Sequence, residues 1–429
     1  MIPIIHSAEV TPFLFRLARR SVVRDSELLQ MVSSIIEDVR SRDDDALIDY
    51  TKKFDGVELT NADLHVSEET LRHSASKVDE NFLIPLRRAI KNVRTFHEQQ
   101  VEKSWEFSPA PGVRLGQRIT PLERVGLYVP GGTAAYPSSI VMNVVPAQVA
   151  QVERIIIATP PRTLAENPAI AATLLELNVT EVYRVGGAQA MAALAFGTET
   201  IPRVDKIVGP GNKYVAAAKK LLFGIVGIDA IAGPSEIVII ADETARADFL
   251  AVDLLAQAEH GEDASAILFT TSELLAVRVA AEVQRQAESL PRRDIVASSL
   301  KNYGAIIVLE TLEAICAVVN NAIAPEHLEI VTADDGAIAR TIRNAGAIFF
   351  GTYTPEAVGD YLAGPNHVLP TSGTARFTSA LGVYDFLKRT STLQYSASAF
   401  DDVADSISVL AESEGLAAHA RSAAIRKKR

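Results

Sequence analysis

Hydrophobic residues recur at intervals of three and four along the first hundred positions of the chain. One such stretch runs through residues 28–39 and a second through residues 83–93. This spacing places the apolar side chains on one face of an α-helix, so the N-terminal part is predicted to form a helical layer. Its histidines follow no metal-binding spacing and are interpreted as surface or packing residues: His6, His65, His73 and His97.

From about residue 124 the pattern changes to short β-rich runs that alternate with helical ones. Such alternation is typical of βαβ units and a mostly parallel sheet. Two successive groups of units predict an α/β fold of two doubly wound Rossmann-like lobes, followed from about Gly382 by a less regular C-terminal extension. The predicted strands are 125–129, 154–158, 181–185, 206–208, 237–241, 266–270, 305–309, 327–331 and 347–350.

Length and charge limit what the chain is expected to do. Its 429 residues are too many for one compact core, which favours two or three lobes. The 42 Lys and Arg residues against 53 Asp and Glu residues leave a net charge of −11, which repels phosphate backbones and anionic membrane surfaces. We therefore expect no nucleic-acid partner and no membrane partner, and we interpret the basic run 426–429 as a solvated tail.

Cysteine usage and hydropathy indicate the compartment. The single cysteine, Cys316, excludes an intramolecular disulfide and a multi-thiolate metal site, so a reducing cytoplasm is expected. Cys316 itself falls in a helical run at a position that predicts core packing. The sequence contains no recognisable signal peptide, and its apolar stretches are shorter than the roughly twenty residues that span a bilayer. A soluble cytoplasmic protein is expected.

Three glycine-containing turns follow predicted strands and precede helices, at residues 128–133, 185–189 and 205–214. Each places backbone N–H groups at a helix N-terminus, where an anion can bind. None contains an intact GxGxxG fingerprint, because Tyr214 replaces the third glycine of the last turn, so an ordinary Rossmann site is not supported. A single turn of this kind is equally well a tight βα connection. Three turns at the carboxyl ends of neighbouring parallel strands favour a ligand crevice.

Gln257 and His260 end a predicted amphipathic helix and share one face through their i, i+3 spacing. Such a pair can hold a metal ion, although taken alone it more often marks a helix end, since glutamine is an uncommon zinc ligand. A metal site needs further donors from elsewhere in the chain. The candidates are Asp360, His367 and His419.

Glu326 and His327 set a carboxylate beside an imidazole at the start of a predicted strand. The pKa values of both groups can be tuned toward neutrality, which suits acid and base roles in successive steps of one reaction. A solvated loop pair is an equally good interpretation of these two residues in isolation.

Several longer motifs occur together, in one order and at one spacing. They lie at residues 228–236, 256–261, 324–329, 363–371, 384–389 and 412–420. Through these motifs, residues 121–421 closely resemble the histidinol dehydrogenase family.

The resemblance implies a complete set of site residues. It gives Glu326 and His327 the catalytic roles and assigns NAD contacts to Tyr128, Gln189 and Asn212, one on each glycine turn. The implied zinc ligands are Gln257, His260, Asp360 and His419. The implied substrate contacts are Ser235, Gln257, His260, His327, Asp360, His367, Glu414 and His419.

The resemblance also implies the reaction and the assembly. The reaction is a four-electron oxidation of L-histidinol through L-histidinaldehyde to L-histidine with two NAD and one zinc ion per subunit, the last step of histidine biosynthesis. The family forms homodimers in which the C-terminal segment of one chain completes the site of the other. The implied bounds are an arm at 1–20, a discontinuous lobe of 21–122 with 236–380, an NAD-binding lobe at 123–235 and a dimerisation tail at 381–429.

Other functions stay open from the sequence. A related enzyme that oxidises another small primary alcohol would keep the same fold and chemistry. A zinc hydrolase would use the metal to activate water, with Glu326 as the base, and would not depend on NAD. A non-catalytic metal-binding scaffold is the third alternative.

Overall fold

Two parallel sheets and one antiparallel sheet organise the computed structural model, which describes residues 2–18, 20, 25–131 and 136–427. We number the strands in chain order. They are β1 Ile4–His6, β2 Trp105–Phe107, β3 Val113–Pro121, β4 Arg124–Tyr128, β5 Arg154–Thr159, β6 Val182–Arg184, β7 Lys206–Val208, β8 Gly227–Ile228, β9 Glu236–Ala241, β10 Ser265–Thr270, β11 Ala305–Val308, β12 His327–Val331, β13 Ala347–Phe350 and β14 Leu387–Tyr395.

Helices connect most of these strands, and short π and 3₁₀ turns occur at Val319–Ile323, Thr374–Arg376 and Val383–Phe386. The α-helices are α1 Ser7–Ala18, α2 Ser26–Arg42, α3 Asp44–Asp55, α4 Asn61–Leu64, α5 Glu68–Ala75, α6 Glu80–Glu98, α7 Pro137–Val149, α8 Thr163–Glu166, α9 Pro168–Glu176, α10 Gly187–Phe196, α11 Lys213–Leu222, α12 Ala247–Ala258, α13 Glu273–Ala287, α14 Arg293–Tyr303, α15 Leu312–Val318, α16 Asp335–Thr341, α17 Glu356–Tyr361, α18 Ala397–Ser413 and α19 Ala417–Ala424.

The six-stranded sheet has the order β1-β11-β10-β9-β12-β13, and all its pairings are parallel. Its central strands β9 and β10 are buried at every position. A parallel sheet that is covered on both faces requires apolar side chains on both, which explains the uninterrupted run of isoleucine and valine at residues 237–240.

The five-stranded sheet has the order β6-β5-β4-β7-β8 and is also parallel throughout. Strands β5 and β6 lie on one side of β4, and β7 and β8 lie on the other side. The order of the strands therefore reverses between β4 and β7, and open α/β sheets bind ligands at such a point. One face is covered by α2, α3, α10 and α11, and the other by α5, α6, α7 and α9. The N-terminal helices thus contact this sheet, whereas the resemblance groups residues 21–122 with 236–380. The lobe boundaries stay a prediction.

The third sheet is antiparallel, in the order β14-β3-β2. Strand β14 pairs with β3 over its full length, yet its residues after Leu387 are exposed. Exposed apolar side chains on these strands include Trp105, Phe107 and Leu393. The strand leads into α18 and α19, which pack mainly on each other.

The predicted fold class is confirmed, since the chain is mixed α/β with mostly parallel sheets. Each strand predicted from the sequence is present within two residues of its expected bounds. Cys316 is buried in an apolar cluster, as its helical position predicts. None of the described helices is long and apolar enough to cross a membrane.

Replacing Leu268 by alanine tests how much the central strand of the six-stranded sheet contributes to the stability of the fold. Leu268 is fully buried on β10, so the change removes apolar contacts and leaves a cavity, and we expect the free energy of unfolding to fall by about 3 kcal/mol. Leu274→Ala is the matched control, because Leu274 is 68% exposed on α13, and its effect should stay within about 0.5 kcal/mol. Urea unfolding of both variants measures the difference, and equal effects would contradict the assignment of this core.

Candidate active site

Tyr128, Gln189 and Asn212 line one cavity of about 500 Å³ at the carboxyl edge of the five-stranded sheet. Tyr128 is the last residue of β4, while Gln189 follows β6 and Asn212 follows β7. The prediction of neighbouring strands is wrong in one detail, because β5 separates β4 from β6, and Pro160 after β5 also lines the cavity. Two positions of the first turn, 132 and 133, lie outside the described residues.

Hydrogen bonds within this edge connect the turns. The Tyr128 hydroxyl accepts a hydrogen bond from the backbone N–H of Gly187 at 3.1 Å, and burial raises the pKa of Tyr128 to about 12. The side-chain oxygen of Asn212 accepts from the N–H groups of Tyr214 and Val215 at 3.0 and 3.2 Å, so Asn212 caps α11. These contacts fix two of the three side chains before any ligand binds.

The opposite wall of the cavity comes from the N-terminal helices, which the sequence reasoning did not include in the site. Met31 and Ile35 of α2 and Phe54 and Asp55 of α3 line it. Met31 and Phe54 are 53% and 52% exposed. Apolar side chains that lie off the buried stripe of an amphipathic helix are the signal that could have indicated them.

Glu326 and His327 lie at the amino edge of the six-stranded sheet, where β12 begins beside β9. Both bind the backbone of Glu236, the first residue of β9. The Glu236 N–H donates to Glu326 Oε2 at 2.8 Å, and His327 Nδ1 lies 3.1 Å from the Glu236 carbonyl oxygen. A proton on Nδ1 satisfies that carbonyl and leaves Nε2 as the acceptor nitrogen.

His327 Nε2 is buried and has no hydrogen-bond partner among the described residues. The carboxylate oxygen Asp360 Oδ1 lies 3.9 Å from it. Burial lowers the pKa of His327 to about 4, so the imidazole is neutral near pH 7 and can accept a proton. Burial raises the pKa of Glu326 well above its ordinary value, which brings this carboxyl toward the range useful for general base catalysis.

Local backbone geometry sets the direction in which this pair points. The π-helical turn Val319–Ile323 ends at Ala324, a buried non-glycine residue with φ 51°. Such a conformation costs free energy and persists only where surrounding contacts enforce it, most often at functional sites. Arg20 adds a buried ion pair with Glu236, with Nη2 and Oε1 2.7 Å apart. The contacts that support Glu326 and His327 thus include the N-terminal segment.

A cluster of potential metal donors lies beside His327. Ligand atoms of His260, Glu356 and Asp360 are all within 4.8 Å of one another. His367 Nδ1 lies 3.6 Å from Asp360 Oδ1. Burial tends to raise the pKa of Asp360, but the nearby histidines outweigh it and hold the pKa below its usual range. Nitrogen and carboxylate donors in this number suit zinc, so these residues fit the metal that the sequence resemblance implies.

Gln257 is fully buried next to this cluster. In the orientation that satisfies its hydrogen bonds, its amide nitrogen donates to the two Glu356 carboxylate oxygens at 2.8 and 2.6 Å, and its oxygen accepts from the Glu236 N–H at 3.3 Å. Glu356 was missed by the sequence reasoning. Its i, i+4 spacing to Asp360 places both carboxylates on one face of α17, a signal that could have found it.

The remaining residues that were predicted to contact the substrate divide into two groups. Ser235 directly precedes β9, and His367 lies near the same cluster, with its Nε2 3.5 Å from Ser139 Oγ on α7. The neighbouring Asn366 is buried against the Met142 carbonyl oxygen and His97. His97, interpreted from the sequence as a surface or packing residue, therefore supports the loop that carries His367.

Glu414 and His419 belong to the second group. Both are exposed, at the end of α18 and on α19. Among the described residues, no hydrogen bond or ion pair connects either of them with the donor cluster, and the donor cluster forms without His419. His260 is also exposed in the single chain.

Comparisons with known proteins agree on one family. The family model of histidinol dehydrogenase matches residues 18–427. The histidinol dehydrogenase of Geobacillus kaustophilus is 56% identical over 401 residues, which cover 93% of this chain and 94% of that protein. The Bacillus subtilis enzyme of the same name is 52% identical over 405 residues, with 94% coverage of both chains. The crystal structure of histidinol dehydrogenase from Elizabethkingia anophelis superimposes with a TM-score of 0.92 at 36% identity, covering 99% of this chain and 98% of that one.

Glu329 on β12 allows a test of the buried carboxyl groups behind the site. Its Oε1 accepts from the Glu356 N–H at 2.7 Å, while burial and then the nearby Asp253 carboxylate raise its pKa to about 8. Because the folded protein keeps this proton where the unfolded chain has lost it, the group destabilises the fold increasingly as pH rises from 4.5 towards 8. Glu329→Gln should therefore gain melting temperature relative to the wild type as pH rises over that window.

Thermal unfolding of both proteins across the window measures this trend. Glu313→Gln is the control, because Glu313 is exposed on α15 and should show a pH-independent difference. A constant difference between Glu329→Gln and the wild type would mean that Glu329 is ionised in the folded protein.

Proposed function

The chain belongs to the histidinol dehydrogenase family, and we propose that it oxidises L-histidinol through L-histidinaldehyde to L-histidine with two NAD and water. The observation that carries the proposal is the buried Nε2 of His327, which has no hydrogen-bond partner in the described part of the chain and lies beside the His260, Glu356 and Asp360 cluster. A buried acceptor without a partner is costly unless a ligand satisfies it. A substrate hydroxyl held at the cluster would do so.

In the first oxidation, His327 Nε2 accepts the hydroxyl proton while hydride leaves the same carbon for NAD. The neutral imidazole is ready for this role at pH 7, because its pKa is low in the buried site. Its Nδ1 stays bound to the Glu236 carbonyl, so the ring keeps one orientation as Nε2 takes up and releases the proton.

The second oxidation begins when water adds to the aldehyde carbon. Glu326 lies next to His327, and its raised pKa suits a carboxylate that removes a proton from that water. His327 then accepts a proton from the resulting hydrate, and a second NAD takes the second hydride. Cys316 is buried in an apolar cluster, so a thiol-bound aldehyde is not part of the proposal.

Zinc would be held by Gln257, His260 and Asp360 of one chain and by His419 of its partner, and when bound it supplies a positive template that orients the imidazole and amino nitrogens of the substrate. The chemistry of the donors supports this set, since ligand atoms of His260 and Asp360 lie within 4.8 Å of each other. Gln257 would have to turn its amide oxygen away from the Glu236 N–H. The amide nitrogen of Gln257 would then keep its hydrogen bonds to Glu356.

NAD would lie in the cavity lined by Tyr128, Gln189 and Asn212. Support comes from the position of the cavity at the point of strand-order reversal and from its size. The substrate would contact Ser235 and His367, both in segments next to the donor cluster.

A homodimer with shared sites is the proposed assembly. The exposed positions of Glu414 and His419 support it, because neither meets its own chain's cluster. Apolar side chains exposed in the same segment, Leu393, Val409 and Leu410, point to a covered surface. Glu414 of the partner would then face the substrate ammonium.

Counting the NADH formed per L-histidinol consumed tests the reaction. The zinc-loaded enzyme should form two NADH per substrate, lose activity on chelation and regain it with zinc. One NADH per substrate would mean that the aldehyde is released, which fits a simple alcohol dehydrogenase. No NADH would return the assignment to another alcohol or to a hydrolase.

Mixing two inactive variants tests the shared site. In a hybrid dimer of Glu326→Gln and His419→Asn chains, one of the two sites contains both intact residues. Random exchange should therefore restore about a quarter of wild-type activity. The control is a mixture of Glu326→Gln and His327→Asn, in which every site keeps one defect and activity should stay absent. Absence of restoration in the first mixture after confirmed subunit exchange would contradict the shared site.

A further inference from the structure

Lys219 and Asp229 form an ion pair in the interior behind the dinucleotide cavity. Lys219 lies on α11 and Asp229 follows β8, and their side chains are only 3% and 6% exposed. The Nζ and Oδ1 atoms are 2.7 Å apart. Burying two charges carries a desolvation cost that hydrophobic residues of similar size would avoid, so the pair calls for a role beyond simple stability.

Both members of the pair also bind the backbone of Gly209. Lys219 Nζ donates to the Gly209 carbonyl oxygen at 2.5 Å, and the Gly209 N–H donates to Asp229 Oδ2 at 2.8 Å. The two polar groups of one residue in an irregular turn are therefore held by the same buried pair. The hydrogen bonds are charge-assisted and correspondingly strong.

The conformation of Gly209 makes this turn sensitive to its position. Its φ is +106°, and a Cβ atom there would lie 2.3 Å from the carbonyl oxygen of Tyr128. The turn thus packs directly on the backbone of β4 at the residue whose hydroxyl reaches Gly187. Three positions further along the chain, Asn212 caps the helix that carries Lys219.

Neither charged side chain lines the cavity. Their effect on a ligand would pass through Gly209 to Tyr128 on one side and Asn212 on the other. We propose that the Lys219–Asp229 pair is a positioning device for the dinucleotide, which fixes the turn after β7 so that Tyr128 and Asn212 meet the cofactor in one geometry. This inference rests on the proposed NAD site.

The test is the dissociation constant of NADH for the full-length, zinc-loaded enzyme, measured by nucleotide fluorescence. The deciding variant is Lys219→Met with Asp229→Asn, because it leaves no unpaired charge in the interior. We expect this double variant to fold, to bind NADH roughly tenfold more weakly and to show the same rise in KM for NAD, since preorganisation is lost. Its kcat and its KM for histidinol should change less than about twofold.

Lys206→Met is the matched control. Lys206 begins β7 at the opposite edge of the same sheet and pairs with Asp385 at 3.3 Å, so its loss removes an ion pair without touching the turn. NADH affinity should be unchanged. Thermal unfolding of all variants separates loss of fold from loss of affinity.

Asn212→Ala distinguishes failure of this inference from failure of the proposed function. If Asn212→Ala weakens NADH binding and the folded double variant does not, the positioning role is wrong and the NAD site stands. If neither change affects binding, the proposed NAD site is wrong, and the inference falls with it. A double variant that loses stability but keeps its affinity shows a purely structural pair and also overturns the inference.

Discussion

The main chain of Glu236 is the point on which the proposed chemistry depends. Its N–H donates to the Glu326 carboxyl and its carbonyl binds His327 Nδ1, so one residue sets the distance between the two groups proposed to move protons. The register of the parallel pair β9–β12 brings these residues together. Because a strand inside a buried sheet cannot shift without losing its ladder, the pair inherits the rigidity of the core.

Burial gives the same pair its reactivity. Glu326 and His327 lie inside the protein, which penalises the charged form of each, so burial raises the pKa of Glu326 and lowers the pKa of His327. Glu236 would add a further negative charge nearby, but Arg20 pairs with its side chain. The N-terminal segment therefore has an electrostatic role in a site built from strands more than two hundred residues away in sequence.

Nine strands of the two parallel sheets were predicted from the sequence, whereas β1, β8 and the strands of the antiparallel sheet were not. Strands appear as short apolar runs because burial on both sheet faces demands them, and β7 was predicted at its observed bounds. The three turns proposed to bind NAD were predicted from their glycines, and the proposed zinc ligands were predicted from the family resemblance. Glu356 was missed because a single acidic residue on a short helix does not indicate a metal site unless Asp360, four residues later, is considered with it. The left-handed Ala324 has no sequence signature, since its conformation is imposed by contacts distant along the chain. The N-terminal helices were predicted correctly as helices, but the apolar face of an amphipathic helix does not indicate which sheet the helix packs against.

The two sheets contribute opposite edges to the proposed site, the carboxyl edge of the five-stranded sheet and the amino edge of the six-stranded one. In the proposed site, one set of strands would hold the nucleotide and another would hold the molecule being oxidised. For a reaction that consumes two nucleotides per substrate, this separation would let the first nucleotide leave and a second one enter while the half-oxidised compound stays bound. Both oxidations would then take place during a single binding event, and the reactive aldehyde would not be released into the cell.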